Sequence, residues 1–139
     1  MKMYGEGADP RNATLVTGQT VSGKGLCLAH DGSNLVRVTG SAGSDVCIGI
    51  SAGDSTRDVD GTLQTSAGAL VSYYPLGGVL MVAAEALTFT LGDLVYASGS
   101  GLVDKTSTSQ KLVGVYVGEG ETTTSGDLIP VNTASAVNA

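Results

Sequence analysis

One block of this chain occurs twice. The first copy runs Gly25-Leu26-Cys27-Leu28-Ala29, then a polar turn His30-Asp31-Gly32-Ser33-Asn34, then Leu35-Val36-Arg37-Val38, and it closes with Val46-Cys47-Ile48-Gly49-Ile50-Ser51. The second runs Asp93-Leu94-Val95-Tyr96-Ala97, then Ser98-Gly99-Ser100-Gly101, then Leu102-Val103, and it closes with Leu112-Val113-Gly114-Val115-Tyr116-Val117. Short apolar runs bounded by Gly, Ser, Asn and Asp read as strands joined by tight turns. A glycine at the centre of each closing strand, Gly49 and Gly114, marks a bend or a close backbone approach. The repeat therefore predicts an all-β fold. The expected form is a small antiparallel β-barrel or sandwich built from two similar strand-turn-strand halves that close on each other and leave no exposed sheet edge.

The rest of the chain agrees with that class. No window of ten residues has a helical apolar period. Strands are expected at residues 19–21, 25–29, 35–39, 46–51, 70–74, 79–83, 94–97, 102–103, 112–117 and 127–131, with a single helical turn at 84–87. Residues 1–19, with Gly5, Gly7 and Pro10, read as an extended N-terminal arm in which Met3 and Tyr4 are the side chains available for burial on a partner. The barrel domain is expected over 20–132 and a small polar tail over 133–139. Glycine is abundant, at 21 of 139 residues, and charged residues are only 14%, against about a quarter in ordinary domains. That profile suits closely packed strands and turns.

Charge excludes some partners. The net charge is −6 and the seven Lys and Arg are scattered. Binding to a phosphate backbone or an anionic membrane needs clustered cations, so neither nucleic acid nor membrane is expected as a partner. The first residues, Met1 to Glu6, contain no apolar segment of the signal-peptide kind, and folding in a cytoplasm is expected.

Several stretches come close to motifs that carry chemistry. Gly18 to Gly25 almost spells a phosphate-binding loop, with Gly23-Lys24 in place. However, Gly25 replaces the metal-binding hydroxyl and Leu26-Cys27-Leu28-Ala29 does not continue as a helix, so a hairpin turn with an exposed lysine is expected. Asp54, Asp58 and Asp60 lack the terminal ligands of a calcium loop and read as a solvated acidic loop, with a weak cation site as the alternative. His30, the sole histidine, reads as a turn residue. Glu85 and Asp93 have no support as an acid–base pair. Cys27 and Cys47 sit in apolar strands and read as buried free thiols, with a disulfide between neighbouring strands left open. No catalytic residue, metal or cofactor is implied. Tyr73 and Tyr74 are adjacent and so point to opposite faces of a strand: one is expected in the core and the other facing solvent or a partner. With Pro75 and Leu76 they form the second candidate interface segment, beside Met3 and Tyr4.

Gly92-Asp93-Leu94-Val95-Tyr96, the turn Gly99-Ser100-Gly101-Leu102-Val103, the Val113-Gly114-Val115 strand and the earlier Val46 to Gly53 stretch resemble the head decoration, or capsid cement, proteins of tailed viruses, over about residues 15–131. The resemblance implies a β-rich, non-enzymatic homotrimer on the outer capsid surface of a virion, made in the host cytoplasm. Its partner would be the major capsid protein, and its role would be to stabilise the head against the pressure of packaged DNA. Other readings are a different virion β-domain, such as a tail-tube or fibre-associated one, or a ligand- or carbohydrate-binding β-module. The last is poorly served by a chain with no Trp and one Phe.

Overall fold

A computed structural model describes residues 10–40, 46–108 and 110–134. These form twelve strands: β1 (Arg11–Leu15), β2 (Lys24–His30), β3 (Leu35–Val38), β4 (Cys47–Ala52), β5 (Leu70–Pro75), β6 (Val79–Ala84), β7 (Thr88–Phe89), β8 (Leu94–Ala97), β9 (Val103–Asp104), β10 (Leu112–Tyr116), β11 (Glu121–Thr122) and β12 (Asp127–Asn132). A short 3-10 turn, Gly99–Gly101, links β8 to β9. The expected all-β barrel is thus observed, but the two halves do not close on each other. Each half closes on itself.

The first barrel has the order β1-β3-β2-β4-β5 and the second β6-β9-β8-β10-β12, with each ring completed by an antiparallel pair, β5 to β1 and β12 to β6. In both rings a single parallel pair, β1·β3 or β6·β9, stands among antiparallel ones. The registers match as well. Leu28 faces Gly49 and Ala29 faces Cys47, skipping Ile48. Val95 faces Gly114 and Tyr96 faces Leu112, skipping Val113. A β-bulge thus sits at the same place in both rings, where it turns the corner of the barrel. Ile50 against Tyr74 corresponds to Val115 against Asn132, and Thr14 against Leu70 corresponds to Ala83 against Leu128.

The paired glycines of the repeat share one physical cause. A Cβ on Gly49 would lie 2.8 Å from the Tyr74 carbonyl oxygen, and one on Gly114 would lie 2.9 Å from the Asn132 carbonyl carbon. In each ring, therefore, the bulged strand comes so close to the next strand that no side chain fits between them.

Four expectations differ from the structure. The expected arm contains β1. Arg11 to Leu15 is polar and gives a weak strand signal, but Leu15 is buried and the strand pairs on both sides. It is the fifth strand that lets the first half close alone. The expected tail is likewise anchored at its start. Thr133 is buried, and its hydroxyl accepts from the Gly77 and Gly78 N–H groups and donates to the Gly78 carbonyl. Residues 19–21 are not a strand, and 84–87 form no helical turn.

Leu15, Val21, Leu28, Val36, Ala69 and Val71 fill the first barrel. The second core holds Val82, Ala84, Val95, Val103, Val113, Tyr116, Ile129 and Val131, and it also takes in Cys27, Cys47 and Ile50 from the outside of the first barrel. The outer face of β2 and β4 is thus the seat on which the second barrel rests.

Candidate protein-interaction surface

The 73–76 segment lies at the seam of the two barrels. Along β5 side chains alternate between faces, and here both faces are occupied. Tyr73 packs against the core of the first barrel, and Tyr74 and Leu76 pack against the core of the second. All four residues, Pro75 included, are half-buried. The two tyrosines therefore divide between two cores, where the expectation was one in the core and the other facing solvent or a partner. Tyr74 also lines a cleft of about 270 Å³ with Lys24, Ile50, Ser51, Leu80 and Met81. The cleft has one cation and otherwise small or apolar walls. Met3 and Tyr4 lie outside the described residues.

The candidate chemistry sites are taken up by structural roles. Lys24 opens strand β2 and pairs with Ala52, so the near phosphate loop leads into a strand. Asp54 accepts from the Gly23 N–H at 2.6 Å and pairs with Arg57 at 2.6 Å. Asp60 accepts from the N–H and hydroxyl of Thr62, closing a turn in which the Asp58 N–H bonds the Thr62 carbonyl. His30 Nδ1 accepts from the Gly32 N–H, and Asp31 accepts from the N–H and hydroxyl of Ser33. Asp93 accepts from the Thr90 N–H at 2.8 Å and meets Lys105 at 3.4 Å. Glu85 offers its carbonyl to the Thr123 hydroxyl. Hydrogen bonds to the ionised form hold Asp31, Asp54, Asp60 and Asp93 below the usual carboxylate range; such bonds favour the charged state. Among the described residues no three His, Cys, Asp or Glu converge as a metal site.

Cys27 and Cys47 are free, buried thiols on adjacent strands. Cys47 Sγ donates to the Gly49 carbonyl. Hydrogen bonding to Cys47, together with burial, pushes the Cys27 thiol well above its usual range. Both residues act as small hydrophobes in the seam between the barrels.

The surface that sequence reasoning missed lies on β8 and β10. Val95 and Val113 point into the second barrel, so Leu94, Tyr96, Leu112 and Val115 point out. The pairs Leu112–Tyr96 and Val115–Leu94 are directly opposed, which makes one apolar strip. Leu94 is 48% exposed, and the other three are half-buried. A signal was present: Leu94-Val95-Tyr96-Ala97 is apolar on both faces, a pattern that a strand with one wet face does not need. In the first barrel Leu70, on β5, is 47% exposed.

In comparison with known proteins, the sequence matches no family model and no curated protein.

Proposed function

We propose that this protein is a decoration protein of a tailed-virus head, binding the outside of the shell and holding neighbouring capsid subunits together against internal pressure. The observation that carries the reading is where the resemblance falls. Val46 to Gly53 lies on β4 of the first barrel, and Gly92 to Val103 with Val113-Gly114-Val115 lies on β8, β9 and β10 of the second. These are the strand-turn-strand units that the two rings share. The stretches that resemble cement proteins therefore build this chain's repeated scaffold. A rigid twin barrel with no free edge in either ring suits a clamp, because it cannot spread by edge pairing. Its carboxylates at 54, 60 and 93 are engaged in closing turns, which also suits a scaffold. Many weakly held copies on a repeating shell gain strength through multivalency.

The test is co-sedimentation with expanded heads that lack their own decoration. Full-length protein is expected to saturate the shells, and protein lacking residues 1–9 to reach lower occupancy with an unchanged far-UV CD spectrum. Deletion of residues 1–19 removes β1 and is expected to unfold the first barrel, so it is not a clean probe of the arm. Absence of binding to any expanded shell, or assembly into long tubes in solution, would move the reading to a tail component.

A further inference from the structure

The two barrels are equivalent, but their outer faces are not equally covered. In the first barrel the outward side chains of β2 and β4 (Cys27, Ala29, Cys47 and Ile50) are buried, and Cys27, Cys47 and Ile50 join the core of the second barrel. By register, their counterparts in the second barrel are Leu94, Tyr96, Leu112 and Val115. Among the described residues nothing is seated on that strip as the second barrel is on the first, and Leu94, Tyr96 and Leu112 are larger than Cys27, Ala29 and Cys47, to which they correspond. The opposing surface shows the same imbalance. The outer face of β6 and β12 is seated on the first barrel through Ala83 and Leu128, which meet the backbone at Gly25 so closely that a Cβ there would collide with Leu128 and crowd Ala83. The counterparts of Ala83 and Leu128 are Thr14 and Leu70 on β1 and β5, and Leu70 projects into solvent. Gly25 also has its counterpart. Gly92 stands three residues before Val95 as Gly25 stands three before Leu28, and the two have φ of +93° and +94°. A Cβ on Gly92 would meet nothing within 4 Å. Among the described residues, therefore, each barrel carries one half of the contact with its other half missing.

We infer that the outer face of β8 and β10 is the docking site for the outer face of β1 and β5 of a second copy of this chain, repeating between chains the contact that joins the two barrels within one. Leu70 of the incoming copy rests on Gly92 as Leu128 rests on Gly25. The turn His30 to Asn34, exposed throughout, takes the place against β8 that the Gly99–Gly101 turn holds against β2, where Gly101 lies close to Leu26 and Val38. The contact is head-to-tail, so the two surfaces that meet differ. Such contacts close into a ring when the rotation between units divides the circle, and three chains would place six equivalent barrels in that ring. The inference rests on the internal repeat and holds whether or not the partner is a viral shell.

The experiment needs no shell. Wild-type protein is examined by analytical ultracentrifugation up to about 100 µM, a concentration that populates contacts of micromolar strength, alongside Leu70→Glu and Leu94→Glu. Both leucines are half exposed, so far-UV CD should be unchanged; Leu70→Ser and Leu94→Ser replace either variant if it unfolds. Wild type is expected to be oligomeric and each variant monomeric. An equimolar mixture of the two variants should form a dimer and nothing larger, because one intact β8–β10 face meets one intact β1–β5 face. A monomeric wild type, a single variant that still assembles like wild type, or a mixture that stays monomeric would overturn the inference. Failure of shell binding with this pattern intact would sink only the capsid reading.

Discussion

Replacing Gly114 with alanine probes the physical basis of the repeat. The added methyl would lie 2.7 Å from Val131 Cγ1 and 2.9 Å from the Asn132 carbonyl carbon. The valine cannot swing clear without entering the barrel core, and the carbonyl is backbone, so β10 and β12 must separate. Overpacking of this kind costs about 1–3 kcal/mol, and one or two weakened ladder hydrogen bonds add about 1 kcal/mol each. Alanine offsets about 0.4–1 kcal/mol of this by restricting the unfolded chain. The net loss is about 3 kcal/mol, and for a chain of this length that lowers Tm by about 10 °C. Gly49→Ala meets the Tyr74 carbonyl oxygen at 2.8 Å and the Tyr73 ring. Part of that clash is a ring that can tilt, so its loss should be somewhat smaller, at about 2 kcal/mol. Gly53→Ala is the control. It has no neighbour within 4 Å and no positive φ, and it should stay within about 0.5 kcal/mol of wild type. Thermal melts followed by CD and urea titrations read all three. If Gly114→Ala melted within about 2 °C of wild type, as Gly53→Ala should, close strand approach would not be the reason for glycine at these two positions.

Two further outcomes follow from the buried and turn-closing groups. Because Cys27 and Cys47 are buried and the Cys27 thiol is held protonated, neither should react with a thiol reagent in native protein at neutral pH, and both should react once the chain is denatured; rapid labelling of either in the native state would contradict the packing. Asp31, Asp54, Asp60 and Asp93 have folded pKa values below their unfolded ones, so their stabilisation is fully present above the unfolded carboxylate pKa of about 4 and is lost as pH falls through the folded values. Tm should be flat from neutral pH to about pH 5 and drop below about pH 4, and a Tm that rose on acidification would contradict it.

The all-β class, the doubled unit and the meaning of its central glycines were legible in the sequence, because they rest on local information: the alternation of apolar residues, the turn residues and a missing Cβ. The matching bulges at Ile48 and Val113 confirm that the two blocks Gly25 to Ser51 and Asp93 to Val117 are one design used twice. What the sequence left open depended on pairing between distant segments. Arg11-Asn12-Ala13-Thr14-Leu15 has no strand signature of its own. It becomes β1 because β3 and β5 offer it open edges, and with it the first half closes alone. Tyr73 and Tyr74 were correctly separated onto two faces by strand geometry, but only the docking of one barrel on the other turned the second face into a second core. The exposed strip on β8 and β10 was hidden for the same reason. Leu94 and Cys27 occupy the same position in the repeat and both look like core residues in one dimension. Which of them is covered depends on where the other barrel sits, and that long-range contact has no local trace in the chain.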